Sequence, residues 1–238
     1  MNIPTTRLGL RPRPFIWVLL LGCILAYPLA PAVSSPSGDK RDYILVINTY
    51  AESTPWSRGI ITDITARVEQ IENLELYTEH INLLLVDSPR EIETFETNLL
   101  REYGKKPPRA LVLIGTPTAL LRNFINSIWK GIPTIVCAEQ DFVGPDKYYQ
   151  KRLPIPASEQ VPLRTLADRD NLTLLYSPAY LDQSIDLMKR ILPGMDRLIF
   201  IDDARYVNRQ TEHDLAELLD SKYGGIKYTC LLYTSDAA

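Results

Sequence analysis

Residues that carry metal or redox chemistry are scarce, with three cysteines and two histidines in 238 residues. Cys23, Cys137 and Cys230 lie far apart and offer neither metal-ligand spacing nor an even disulfide framework. His80 and His213 stand outside any metal-binding or catalytic motif, so structural or surface roles are expected for both, and Cys137 reads as a small core residue. A basic surplus is also missing. Three of the 26 basic residues and none of the 29 acidic ones fall in the first 34 positions, which leaves 23 basic against 29 acidic in the rest. A nucleic-acid binder normally presents a basic face to the phosphates, so no nucleic acid is expected among the partners. The turn after the first strand candidate, Asn48-Thr49-Tyr50-Ala51-Glu52-Ser53, lacks glycine, which argues against a Rossmann dinucleotide site or a P-loop. Nucleophile elbow, paired-histidine motif and serine–histidine–carboxylate set are absent as well. No catalytic residue, metal or cofactor is therefore expected, and Asp202-Asp203 reads as a polar strand end.

With 45% hydrophobic and 23% charged residues, the chain is long enough for one or two globular domains. Arg7, Arg11 and Arg13 precede the apolar run Phe15–Tyr27, and Ala30-Pro31-Ala32 follows it. Basic, apolar and small-residue regions in that order make residues 1–34 a signal peptide. The run is shorter than the ~20 residues of a spanning helix, so an uncleaved signal anchor is the alternative. Leu20-Leu21-Gly22-Cys23 has the look of a lipobox, but the apolar run continues past Cys23, unlike a lipoprotein leader. Residues 35–42 read as a linker.

From Tyr43 onward short apolar runs alternate with amphipathic stretches, which predicts an α/β fold with a parallel sheet flanked by helices. Strands are expected at Tyr43–Ile47, Leu74–Leu83, Ala110–Ile114, Thr134–Ala138, Leu172–Tyr176, Leu198–Ile201 and Ile226–Leu232. Between them, apolar residues at helical spacing mark core-facing stripes: Ile60, Ile61, Ile64, Val68 and Ile71; Ile92, Phe95, Leu99 and Tyr103; Leu120, Leu121, Phe124, Ile125 and Ile128; Leu181, Ile185, Met188 and Leu192; Leu215, Leu218 and Leu219. Thr54-Pro55, Ser88-Pro89, Thr116-Pro117 and Ser177-Pro178 each suggest a helix start with a hydroxyl cap, and Glu91 would complete a capping box with Ser88. In this architecture such starts gather at the carboxyl edge of the sheet, where ligands bind. The proline-rich stretch 141–170 reads as a connection between two lobes: lobe 1 over 43–140, and lobe 2 beginning at 171 and running to 229.

The run Ile44–Ser57 (ILVINTYAESTPWS) resembles the opening of the extracytoplasmic sensor region of Bacteroides-type sensor histidine kinases, often hybrid and PAS-containing. Further matches are Tyr77–His80, Cys137–Glu139, Asn171–Tyr176, Leu187–Met195 and Leu198–Ile201. Those regions are similar to ABC-type substrate-binding proteins with the two-lobed type 1 periplasmic-binding fold. The resemblance implies an extracytoplasmic domain that senses a small ligand by lobe closure. It implies a membrane tether through the N-terminal segment and a downstream helix, with a homodimer left open. Residues 230–238 resemble translated sequencing-adapter read-through, which makes them a non-native tail and lobe 2 incomplete. An unpaired strand edge near Ile226 and weak ligand binding by the chain alone are then expected.

The ligand cleft is expected at Tyr50, Glu52, Ser53 and Trp56 after the first strand, Gly115, Thr116 and Thr118 after the third, and Glu139 and Gln140 after the fourth. Ser177, Tyr180, Asp203 and Arg205 would face them from the second lobe. Two other readings remain: a substrate-binding protein that delivers solute to an ABC transporter, and an extracytoplasmic enzyme that uses Glu52 and Glu139.

Overall fold

A computed structural model describes residues 41–81, 88–166 and 171–232. The expected signal peptide, the expected linker up to Lys40 and the end of the chain from Tyr233 lie outside the described residues. β1 (Asp42–Asn48), β2 (Leu74–His80), β3 (Ala110–Ile114), β4 (Thr134–Ala138) and β7 (Leu172–Tyr176) form one parallel sheet in the order β2-β1-β3-β4-β7. Strands of this kind need long crossovers, and the intervening helices supply the first three. They are α1 (Pro55–Val68), α2 (Pro89–Tyr103), and a 3-10 turn at Thr116–Leu121 that runs on into α3 (Arg122–Ile128).

Alternation along β1 explains why both faces are covered. Tyr43, Leu45 and Ile47 join Leu111, Leu113, Ile92, Leu99 and Ile125 in one core beneath α2 and α3. Ile44 and Val46 join Val112, Ile114 and Cys137 in a second, under Ile60, Ile61 and Ile64 of α1. Burying both faces of β1 and β3 accounts for their near-continuous apolar sequence. Cys137 is buried, and burial raises its thiol pKa, as suits a packing residue.

Four sequence expectations need correction. The strand Leu172–Tyr176 does not open a second lobe: it pairs with β4 from Thr134↔Leu172 to Ala138↔Tyr176, while Leu172 and Leu174 pack on the first core. The stretch 141–170 is accordingly a crossover within one sheet. It is built from β5 (Phe142–Val143), α4 (Asp146–Lys151), a 3-10 turn at Ala157–Glu159 and β6 (Val161–Pro162), which pairs antiparallel with β5. Next, β2 stops at His80; Ile81 follows it outside the strand, and the rest of the expected strand falls on residues that are not described.

The hydroxyl–proline pairs also behave differently. Thr54 and Ser88 do stand at N-caps before proline, but neither side chain makes the capping bond. At Thr116-Pro117 the cap is Gly115 and the hydroxyl turns elsewhere, and Ser177-Pro178 precedes the next helix by a turn, with Tyr180 in the left-handed region as the cap. Finally, Ile71 and Leu192 lie beyond the ends of their helices and stay exposed.

α5 (Leu181–Ile191), β8 (Arg197–Asp202), α6 (Tyr206–Lys222) and β9 (Lys227–Leu232) build a smaller layer. β8 and β9 pair in parallel, and Ile185, Leu215, Leu219 and Tyr223 pack with Leu198, Phe200 and Tyr228 against one face. The opposite face carries Ile199, Ile201 and Leu231, all largely exposed. Among the described residues no helix is long and apolar enough to cross a membrane.

Candidate functional site

The sheet order reverses direction between β1 and β3, and the carboxyl ends of strands at such a switch point are where open α/β sheets bind ligands. The end of β1 there is polar and buried. Asn48 is fully enclosed: its Oδ1 accepts the Tyr50 N–H at 3.1 Å, and its Nδ2 reaches Ser57 Oγ at 3.3 Å and His80 Nδ1 at 3.1 Å. Thr49 adds two bonds to the Ile114 carbonyl, from N at 3.0 Å and from Oγ1 at 2.9 Å. These contacts lock the β1 turn onto β3 without any glycine in it. The glycine lies across the gap: Gly115 has φ 99°, and a Cβ there would stand 2.1 Å from Thr49 Oγ1 and 2.9 Å from Tyr50 Cε2. Only glycine fits that backbone and that space.

Of the predicted residues, the fold brings together those after β1, β3 and β4. The buried Tyr50 ring meets Trp56 edge-on, with centroids 5.6 Å apart, and lies against Gly115. Thr116 donates to Glu139 Oε2 from its backbone N at 3.1 Å and from its hydroxyl at 2.9 Å, across 23 residues of sequence. The other oxygen, Glu139 Oε1, is buried and has no partner among the described residues. Burial raises the Glu139 pKa, and the backbone N–H groups of Thr116 and of Glu139 itself oppose the rise only in part. Gln140, next in sequence, is buried and accepts from the Tyr206 hydroxyl at 3.1 Å, so the start of α6 closes over this edge.

Other predicted residues fall elsewhere. Glu52 and Ser53 are exposed on the β1–α1 turn, and Ser177 and Tyr180 are exposed beyond β7. Thr118 turns inward, donating to the Gly115 carbonyl at 2.7 Å and lining an apolar cavity of about 40 Å³ with Leu113, Val136 and Leu172. A drug-sized ligand needs roughly ten times that volume. Asp203 and Arg205 pair with each other at 2.7 Å, and Asp203 also accepts from Asn208 at 2.9 Å, so the pair organises the approach to α6. Their loop contributes Ala204 to an open groove of about 620 Å³ between Lys151–Pro154 and the Arg209, Glu212 and His213 side of α6. In that groove Arg209 is already paired with Glu212 at 2.8 Å.

Sequence reasoning missed Asn48, Thr49, Ser57 and His80; the available signal was the polar pair Asn48-Thr49 at the end of an apolar strand. It also treated Asp202 as an ordinary strand end, whereas Asp202 is buried with Oδ2 unpartnered, and its ligand atoms lie within 4.8 Å of those of Glu212 and Cys230. Cys230 opens the stretch that resembles adapter read-through. In comparison with known proteins, no family model and no curated sequence matches the chain.

Proposed function

We propose that the folded part of this chain is an extracytoplasmic small-ligand-binding domain that serves a membrane sensor histidine kinase as its input. The observation that supports this reading best is the set Tyr50, Gly115, Thr116, Glu139 and Gln140, which lines one switch-point edge with the first residue of α6 bonded across it. A ligand seated there would touch both the main sheet and the element that leads into the smaller layer. Binding would then favour one arrangement of the two over another, which is how a ligand biases a conformational equilibrium. The N-terminal resemblance to sensor regions supplies the output half of the proposal.

A free substrate-binding protein of an ABC transporter would use the same edge, and the genomic context separates the two readings. The sensor reading expects an intact reading frame that continues into ~20 apolar residues and then a kinase region with its phosphorylatable histidine. A stop codon soon after the second layer, with no spanning segment, overturns it in favour of transport. The ligand half is tested on the purified full chain by thermal shift with a panel of amino acids, sugars, dicarboxylates and amines. A saturable rise in Tm that Thr116→Val weakens supports the edge as the binding site, and no response to any probe counts against it.

A further inference from the structure

Glu139 presents a carboxylate whose two oxygens are treated differently. Oε2 is held from two directions by Thr116, which fixes the group in place. Oε1 is buried with nothing to accept from among the described residues. Neither protonation state resolves this. An ionised Oε1 is a buried acceptor without a donor, and a protonated one is a buried donor without an acceptor; both are costly. Among the described residues no basic side chain acts on the Glu139 pKa, which burial and backbone hydrogen bonds govern.

The same carboxylate determines what the edge can accept. The short 3-10 turn at Thr116–Leu121 points its first N–H into the site, and Glu139 already takes it. An anionic ligand would find that donor occupied and a like charge beside it. Uncharged groups stand along the same edge: the Tyr50 ring against Gly115 and in edge contact with Trp56, and Gln140 bonded to Tyr206. An unmatched buried carboxylate on the same edge as an aromatic pair is a setting that favours a cation.

We infer that the ligand of this edge is a cation, an organic ammonium whose N–H is accepted by Oε1 of Glu139. The inference rests on the reading of the switch-point edge as the binding site and adds the chemical class of the ligand. Oε1 then gains its missing donor, and the alkyl part of the ligand meets the aromatic pair.

The test follows the Thr116 amide by NMR in the full chain while n-butylammonium, n-butanol or butyrate is added separately. The expected result is a saturable Thr116 shift with n-butylammonium, at least tenfold weaker with n-butanol, and absent with butyrate. Glu139→Gln keeps an acceptor for Thr116 and should weaken n-butylammonium binding at least tenfold while the protein stays folded. Equal response to n-butanol, which would indicate that Oε1 needs only a neutral donor or a water, overturns the inference. So does undiminished ammonium binding by Glu139→Gln. Saturable binding of butyrate at the same amide overturns the ligand class but leaves the edge a binding site. Silence of Tyr50, Gly115 and Thr116 towards all three probes defeats the class and the site together.

Discussion

The phenol of Tyr206 donates to Oε1 of Gln140 at 3.1 Å, which ties the first residue of α6 to the second residue after β4. Its ring lies 4.6 Å from that of Tyr149, and burial drives its pKa far above the ordinary phenol value, so the hydroxyl keeps the proton it donates at any working pH. Tyr206→Phe should therefore keep the ring contact and lose the bond, which costs about 0.5–1.5 kcal/mol. Tyr206→Ala also loses the buried ring and should cost roughly 3–5 kcal/mol. Urea unfolding of both variants measures the difference; equal losses would mean that the hydroxyl carries the whole effect.

A second tie holds the long crossover. Gln210 is fully buried in α6; its Oε1 accepts the Ile155 N–H at 2.7 Å and its Nε2 donates to Asp214 Oδ1 at 2.8 Å. Gln210→Leu fills similar space but leaves the Ile155 N–H with no acceptor, a loss of about 1–3 kcal/mol. Hydrogen exchange at the Ile155 amide should accelerate. An unchanged exchange rate would show that the crossover holds its place without this bond.

Gly115→Ala tests the packing of the switch point. The positive φ already disfavours a side chain, and the added Cβ meets Thr49 Oγ1 at 2.1 Å, so Thr49 must give up its bond to Ile114 or the backbone must move. We expect a loss of at least about 2 kcal/mol, since strain and a broken buried hydrogen bond act together. Ile114→Val, a nearby truncation with no strain, should cost only about 0.5–1.5 kcal/mol. Thermal unfolding of the pair separates strain from simple loss of packing.

These sites differ in how far they can be read from sequence. Ala110–Ile114, Thr134–Ala138 and Leu172–Tyr176 coincide with strands end to end, because each is an apolar run bounded by a polar residue, proline or glycine that stops it. The partner of Leu172–Tyr176 is not legible in the same way. Strand pairing is a tertiary choice, and a proline-rich stretch reads equally well as a connection between lobes or as a crossover within one sheet. At the edge, Gly115, Thr116 and Glu139 are legible by position alone, since Gly115 and Glu139 directly follow strands and Thr116 comes next after Gly115. The bond from Thr116 to Glu139 and the burial of Asn48 depend on β1, β3 and β4 being neighbours, which no local pattern encodes.

Glu139 gives a pH dependence of definite sign. Its folded pKa is raised above the ordinary value of 4.5 by burial. The folded state therefore holds its proton more tightly than the unfolded chain does. The stability this provides is fully present below the unfolded pKa and is lost as pH rises through the folded one. Glu139→Gln cannot lose that proton. Relative to the variant, the wild-type protein should lose Tm as pH rises above 4.5, so Glu139→Gln should gain on it in that direction. A gap that stays constant with pH would show that the carboxyl titrates alike in both states.

The smaller layer makes the last prediction. A parallel pair of strands normally has both faces covered, yet among the described residues α5 and α6 pack on one face of β8 and β9 and leave the other exposed. On the other face Ile199 is 60% exposed and Ile201 72%, with Leu231 beside Ile201 in the register Ile201↔Leu231. Contiguous apolar surface of this kind promotes self-association through the hydrophobic effect. Ile199→Thr with Ile201→Thr keeps β-branched side chains suited to a strand and removes apolar area at positions where little burial is lost. The double variant should stay as stable as the wild-type chain within about 1 kcal/mol, because surface changes away from packed contacts cost little. In sedimentation velocity at increasing concentration it should show a larger monomer fraction than the wild-type chain. A large loss of stability would mean that this face is buried in solution, and an unchanged monomer fraction would mean that it does not drive association.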